Sequence, residues 1–276
     1  MSGRLSNSIW TPQLTRVVTG IQRINALENP AYKKVKFPFG LHMINVAFTN
    51  LLNSGATFPE RAMHASLCMG FMFLFRKSEF LTDSSGRPKL RGSIPMTLSS
   101  DDTFLWYGDT SYSANCTDIP KLVPDFISMF LPFTKGDQFG KGATRFFPCD
   151  KENPNCLVKV VHAYLLEAKL KPGQSLFASD AFMVSHDAIA KLMKATAVFC
   201  NIPADRVSCH SLRIGGLVTL FAADVPDSLK QLAGRWSSEK SFIMYARATM
   251  TQYETIASAL NNPNLVTADH MKRFYL

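Results

Sequence analysis

Hydrophobic residues recur every three to four positions through much of the chain. Val17, Ile21 and Ile24, for example, share one face of a helix over residues 14–26. This spacing is the period of a helix with one face in a core. It predicts helices over residues 14–26, 39–52, 60–75, 155–170, 188–199, 210–223 and 251–260.

Capping residues mark the ends of two predicted helices. Ser185 is a suitable N-cap for the helix over residues 188–199. Pro226 favours the first position of a further short helix, and Gly234 favours its C-terminal cap. We therefore expect a helix between Pro226 and Gly234.

The middle of the chain has a different pattern. Residues 90–107 and 121–147 carry Thr, Ile, Phe and Val among Gly, Pro and Asp. This composition favours short strands joined by hairpins. Helices on either side of a small antiparallel sheet predict an α+β domain that is mainly helical.

Basic residues exceed acidic ones along the chain. The sequence has 30 Lys and Arg against 21 Asp and Glu, a formal charge of +9, and 46% of its residues are hydrophobic. The apolar share is too high for a disordered chain, and the charge favours a polyanionic partner. DNA, RNA and an anionic membrane surface all fit that charge.

The hydrophobic pattern of the sequence predicts neither a secretion signal nor a membrane span. The first 16 residues lack the apolar stretch of a secretion signal, and residues 67–75 are about half the length that crosses a bilayer. We expect no membrane partner. The expected compartment is the nucleus of a eukaryotic cell, or the cytoplasm otherwise.

The cysteines give no metal pattern. Six are scattered along the chain without a C-x-x-C pair, which favours free thiols in a reducing compartment. Zinc at Cys149, Cys156 and His162 is conceivable, but their spacing matches no common ligand set. The glycines of residues 136–142 are one residue too close for a P-loop. We expect neither metal nor nucleotide nor another cofactor.

His210 and Arg213 are the first candidates for chemistry. They are three residues apart at a predicted helix start, so they share a face. Free N–H groups at a helix start also attract anions. The pair predicts a phosphate cradle, and the alternative is a core histidine beside a solvated arginine.

Arg76 is the second anomaly, because it directly follows an apolar run and precedes Glu79 by one helical turn. A charge at the end of a buried helix is costly unless it is paired. Arg76 could be a surface residue paired with Glu79. It could instead be oriented by Glu79 toward a phosphate, which a guanidinium binds with two hydrogen bonds.

Tyr245 lies nine residues after Trp236, in the segment AGRWSSEKSFIMYAR. A lone tyrosine at helical spacing is usually a core residue. In order, however, four segments (FRKSE, TKGDQFGKG, CHSLRIGG and AGRWSSEKSFIMYAR) resemble the catalytic domain of the tyrosine recombinase, or phage integrase, family. The sequences of these segments are most similar to those of eukaryotic mobile-element recombinases of the Crypton and DIRS kinds. The set that carries the resemblance is Arg76, Lys135, His210, Arg213, Trp236 and Tyr245.

The resemblance implies DNA cleavage without metal. Tyr245 would attack a phosphate and form a 3′-phosphotyrosyl bond, which conserves the energy of the broken bond. Arg76 and Arg213 would neutralise the charge that builds on the phosphate oxygens. His210 would accept or relay the proton of Tyr245.

Two further roles follow from the same resemblance. The lysine of the strand hairpin would protonate the leaving 5′ oxygen. Lys135 stands at that position, and Lys141 is the alternative. Trp236 stands where many relatives have histidine, and its indole N–H can donate to a phosphate but cannot shuttle a proton.

The resemblance runs from about Val35 to Leu260, and the expected catalytic domain is residues 36–262. Residues 1–35 would be a linker and the last helix of an N-terminal DNA clamp, so the chain is expected to be part of a longer recombinase or a truncated copy. Residues 263–276 would form a tail. The expected partner is double-stranded DNA, bound by a tetramer, in DNA integration or transposition of a mobile element.

Two other functions stay open. A type IB topoisomerase-like enzyme shares the tyrosine chemistry but relaxes DNA without exchange. A domesticated DNA-binding remnant would have lost catalysis altogether, although all six chemical positions are filled.

Overall fold

The computed structural model describes residues 36–91, 94–132, 142–178, 182–235, 250–263 and 266. Its elements confirm an α+β protein with a small antiparallel sheet between helical segments. The described part contains eight α-helices: α1 (Leu41–Val46), α2 (Phe58–Met72), α3 (Lys77–Phe80), α4 (Leu157–Ala168), α5 (His186–Phe199), α6 (His210–Ala222), α7 (Asp227–Gly234) and α8 (Met250–Leu260).

The strands lie in the middle of the chain, as predicted. Two form a short hairpin, β1 (Leu90–Arg91) and β2 (Ile94–Pro95). The main sheet has the antiparallel order β4-β3-β5-β6. Its members are β3 (Thr103–Tyr107), β4 (Thr110–Ser113), β5 (Phe126–Leu131) and β6 (Ala143–Pro148). Strand β4 lies outside the predicted strand ranges, because the sequence around it is polar and its residues are not fully buried.

Helix α2 runs through the core and packs against α4 and α6. Thr57 begins it with a capping box: its hydroxyl accepts from the Glu60 N–H, and the Glu60 carboxylate accepts from the Thr57 N–H at 2.7 Å. Such a box satisfies donors that a helix start leaves free. From residue 65 to its end, every residue of α2 is buried.

Several predicted helix ends differ from the structure, three of them at the ends of α2 and α7. The helix over residues 60–75 ends at Met72, because Leu74 adopts a left-handed backbone with φ +51°. Pro226 is the N-cap of α7 rather than its first residue, and Gly234 is its last helical residue. The C-terminal cap predicted at Gly234 is instead Arg235, which has a left-handed backbone with φ +53°.

Other predictions agree with the structure or lie outside it. Ser185 caps α5 by accepting from the Ala188 N–H at 3.2 Å. The helix over residues 39–52 is α1 followed by a π-helical turn, Ala47–Leu51. Residues 1–35 lie outside the described residues, as does most of the tail over residues 263–276. Where the chain is described, none of its helices has the length and apolar character that a bilayer crossing needs.

Candidate functional site

The turn that follows α2 is the centre of the site. It consists of Phe73, Leu74, Phe75 and Arg76, and is called here the Phe73–Arg76 turn. The left-handed backbone at Leu74 reverses the chain, so that neighbouring carbonyl groups and Arg76 face helices α6 and α7. Phe75 is fully buried and stacks on Phe80 at 5.4 Å between ring centroids, which anchors the turn in the core.

Arg76 pairs with Glu79, as the sequence predicts. Arg76 is the N-cap of α3; its backbone N–H donates to Glu79 Oε2 at 2.8 Å and its Nη1 to Glu79 Oε1 at 3.0 Å. The Glu79 side chain is 1% exposed, whereas that of Arg76 is 27% exposed. The carboxylate therefore lies beneath the guanidinium and holds it at the surface.

Arg213 reaches the same turn from α6. Its Nη1 donates to the Leu74 carbonyl at 2.5 Å, and its Nη2 donates to the Gly234 carbonyl at the end of α7. Arg213 is 3% exposed. The sequence predicts that Arg213 shares a helix face with His210, and the structure directs Arg213 at the turn while His210 is exposed.

Two glycines bring α6 close enough for this contact. A Cβ on Gly215 would lie 2.1 Å from the Phe39 carbonyl oxygen. A Cβ on Gly216 would lie 2.3 Å from Leu74 Cδ2 and 3.0 Å from the Phe71 carbonyl oxygen. Neither separation is tolerable for a side chain, so HSLRIGG needs both glycines to seat Arg213 beside Leu74.

Arg235 also belongs to the site, and sequence reasoning missed it. Its Nη1 donates to the Phe73 carbonyl at 2.7 Å, and its Nη2 donates to Glu79 Oε2 at 2.6 Å and to the Leu74 carbonyl at 3.3 Å. The guanidinium carbon lies 5.5 Å from the Phe75 ring centroid. A signal was present, because Arg235 is a charged residue directly after the Gly234 that was expected to end α7.

The backbone of Arg235 is unusual for its residue type. A left-handed conformation costs an ordinary side chain about 1 kcal/mol and favours glycine. The Arg235 side chain is nevertheless 3% exposed and ion-paired with Glu79. Buried contacts of the guanidinium therefore offset the local cost of the turn.

The charged side chains of the site shift one another's pKa values. We define the arginine cluster as Arg76, Arg145, Arg213 and Arg235 with Glu79. Burial, followed by the charges of Arg235 and Arg76, lowers the pKa of Arg213 to about 9. Burial, together with the charges of Arg145 and Arg76 and against the opposing effect of Glu79, lowers the pKa of Arg235 to about 10. Three guanidiniums interact with the single Glu79 carboxylate and a fourth, that of Arg145, acts on Arg235, which leaves a positive site suited to an anion.

His210 completes the surface of the site. It is the first residue of α6 and is exposed, and surrounding protein and then the charges of Arg213 and Arg76 lower its pKa below the usual 6.5. The ring is therefore neutral at physiological pH and able to accept a proton. Arg76 and His210 face solvent, and Arg213 lies beneath them.

Four predicted site residues lie outside the described residues: Lys135, Lys141, Trp236 and Tyr245. The two lysines belong to the segment between β5 and β6, which pair as adjacent antiparallel strands. Trp236 directly follows Arg235 in the sequence. The structure thus places the chain on both sides of these residues.

The conceivable zinc ligands do not form a metal site. The Sγ atoms of Cys149 and Cys156 are 3.7 Å apart, while His162 Nε2 contacts the Pro120 carbonyl at 2.8 Å and Tyr107 Oη at 3.2 Å. Across the described ranges, no three His, Cys, Asp or Glu residues are grouped as metal ligands.

The site thus belongs to the class of buried arginine clusters that can hold an anionic oxygen group. In comparisons with known proteins, no protein-family model, no curated protein and no solved structure matches this chain.

Proposed function

We propose that this chain cleaves and rejoins DNA as the catalytic domain of a site-specific tyrosine recombinase. The observation that carries the proposal is one positive site in which Arg76 and His210 face solvent and Arg213 lies buried beneath them. These residues come from segments more than 130 positions apart. Their order and types are those expected for this chemistry, and the net charge of +9 suits a DNA partner.

Arg76 and Arg213 would stabilise the charge of the transition state. The non-bridging oxygens of a phosphate gain charge as the phosphorus becomes five-coordinate, and fixed guanidiniums stabilise that charge. Arg76, partly exposed and held by Glu79, would contact an oxygen directly. Arg213 lies deeper, where its field acts through protein rather than water and is weakly screened.

Tyr245 would be the nucleophile and His210 its base. A free phenol has a pKa of about 10, so it needs a proton acceptor at neutral pH. The lowered pKa of His210 keeps its imidazole ready for that proton. The phenol oxygen would bond to phosphorus as the bond to the 5′ oxygen breaks. That oxygen would leave as a hydroxyl, with a proton from Lys135 or from Lys141.

A covalent trapping assay tests the proposal. The substrate is a pool of duplexes of randomised sequence, nicked so that cleavage releases a short strand that diffuses away. Wild type should form a denaturant-resistant protein–DNA adduct whose mass maps to Tyr245, and Tyr245→Phe should form none. Equal trapping by both proteins, or no adduct with wild type, would overturn the proposal.

Arg76→Ala refines the assay, with Lys77→Ala as its matched control. Both changes remove one positive charge from the start of the same short helix, but Lys77 is exposed. Loss of a transition-state donor lowers the cleavage rate by roughly 10²- to 10³-fold. Lys77→Ala should cleave within a few-fold of wild type. Similar rates for the two variants would remove Arg76 from the chemistry.

The type IB topoisomerase-like function is separated by a second readout. Relaxation of a supercoiled plasmid without strand exchange between two duplexes would identify it. Exchange between two trapped substrates would identify a recombinase. The segment AGRWSSEKSFIMYAR favours exchange by its resemblance to recombinases.

A further inference from the structure

We propose that Arg235 is a positioning residue of the DNA-cleavage site. It would set the orientation of Arg76 through their shared carboxylate. The inference rests on the proposed function, and it assigns a role to a residue that the sequence motifs do not include.

The first step is the contact pattern of the Arg235 guanidinium. Nη1 and Nη2 together reach three acceptors on two elements: the carbonyls of Phe73 and Leu74, and Glu79 Oε2. A planar guanidinium can hold several acceptors at fixed angles, whereas an ammonium is a point charge that binds them less rigidly. Arg235 thus fixes the Phe73–Arg76 turn to the end of α7.

The second step is the division of Glu79 between two arginines. Oε1 accepts from Arg76 Nη1 at 3.0 Å, and Oε2 accepts from Arg235 Nη2 at 2.6 Å. Oε2 also accepts from the Arg76 backbone N–H at 2.8 Å, so Arg235 and the start of α3 together fix the carboxylate plane, and that plane defines where the Arg76 guanidinium lies. Loss of Arg235 would leave Oε2 held by the Arg76 N–H alone, so the carboxylate could shift and carry the Arg76 guanidinium with it.

The third step is the link between the Phe73–Arg76 turn, α6 and the end of α7. Arg213 donates to the Gly234 carbonyl and to the Leu74 carbonyl, and Arg235 donates to the same Leu74 carbonyl. Leu74 O is therefore a common acceptor for both arginines. Arg213 and Arg235 together hold the Phe73–Arg76 turn against α6 and the end of α7.

The test uses Arg235→Lys, with Arg61→Lys as its matched control. Arg61 makes the same kinds of contact, with Glu167 Oε2 at 2.6 Å and with the Gly55 carbonyl at 2.5 Å. It lies near the start of α2, about 16 Å along the helix from the turn. Both variants keep the charge and lose the guanidinium geometry.

Wild type, both variants and Tyr245→Phe are compared on the nicked duplex pool. The readouts are the single-turnover cleavage rate, the Kd for DNA and the Tm. Arg235→Lys should cleave at least tenfold more slowly than wild type, with a DNA Kd within threefold. Arg61→Lys should cleave like wild type. Equal cleavage rates for Arg235→Lys and Arg61→Lys would overturn the inference. So would a slower cleavage by Arg235→Lys that is fully explained by its lower Tm.

A double-mutant cycle of cleavage rates distinguishes a positioning role of Arg235 from a merely structural one. If Arg235 acts through Arg76, the double variant Arg76→Lys with Arg235→Lys should cleave no more slowly than the slower single variant. Multiplication of the two losses would contradict the inference.

Failure of the proposed function gives a different result from failure of this inference. If the proposed function is wrong, wild type forms no adduct, and the inference that rests on it is wrong as well. Adduct formation by wild type together with normal cleavage by Arg235→Lys would leave the function standing and reject only the positioning role.

Discussion

Arg213 donates a hydrogen bond to the carbonyl oxygen of Leu74 at 2.5 Å, across 139 positions of sequence. This contact joins α6, which carries His210, to the turn that carries Arg76. It depends on the left-handed conformation of Leu74 and on the close approach of α6 at Gly215 and Gly216. The positive surface is therefore a consequence of backbone geometry as much as of charged side chains.

Gly215→Ala should destabilise the protein although alanine favours a helix. The new Cβ would lie 2.1 Å from the Phe39 carbonyl oxygen, a backbone atom that cannot move alone. Overpacking of this kind costs about 2 kcal/mol or more, against a gain of about 1 kcal/mol from helix propensity. Chemical denaturation measures the net loss of unfolding free energy.

Gly108→Ala is the control for that substitution. Gly108 has φ +59° and nothing within 4 Å of its added Cβ, so the change brings backbone strain without overlap. An unchanged or increased stability of Gly215→Ala would show that α6 does not need this close approach.

Glu79→Gln should destabilise the protein by about 3 kcal/mol, because it leaves the buried guanidinium of Arg235 without its ionic partner. Glu167→Gln is the matched control. Its carboxylate pairs with Arg61 but is 45% exposed, so its loss should cost at most about 1 kcal/mol. Both values come from denaturation midpoints, and equal losses for the two variants would contradict the burial argument.

His64 should make the protein sensitive to acid. Burial lowers its pKa to about 4, and its ring stacks on Phe48 at 4.0 Å. Above pH 6.5 the ring is neutral in the folded and unfolded chains. As the pH falls from 6.5 to 4, the unfolded chain takes up the proton first, so stability falls by about 3 kcal/mol.

His64→Phe isolates that contribution. Phenylalanine can keep the stack on Phe48 but cannot bind a proton. The slope of unfolding free energy against pH between 6.5 and 4 should therefore decrease relative to wild type. His210 and His162 also have lowered pKa values and contribute to the slope that remains. Identical pH profiles for wild type and His64→Phe would refute the prediction.

Asn261→Ala should weaken the contact between the end of α8 and the start of α4 and so destabilise the protein. Asn261 is 1% exposed, its Oδ1 accepts from the Leu157 N–H at 3.1 Å, and its Nδ2 contacts Cys156 Sγ at 3.7 Å. Alanine removes this acceptor and leaves the buried Leu157 N–H without a hydrogen bond, which lowers the free energy of unfolding by about 2 kcal/mol. Asn262→Ala is the control at the exposed neighbouring residue. A loss of Tm no larger than that of the control would contradict this role.

Local patterns determined much of what was correct about the fold. Hydrophobic spacing located α2, α4, α5, α6 and α8 because each of these helices buries one face or more. Ser185 was recognisable because N-capping is a contact within one turn. Strand β4 was missed because its polar residues carry no alternating signal.

Local motifs also nominated Arg76, His210 and Arg213, and predicted the pairing of Arg76 with Glu79, because that contact spans three residues. The rest was decided by tertiary structure. Arg235 belongs to the cluster only because its guanidinium meets Glu79, Phe73 and Leu74, which are more than 150 positions away. A sequence specifies short-range spacing, but which distant backbone carbonyls an arginine reaches depends on how the helices pack.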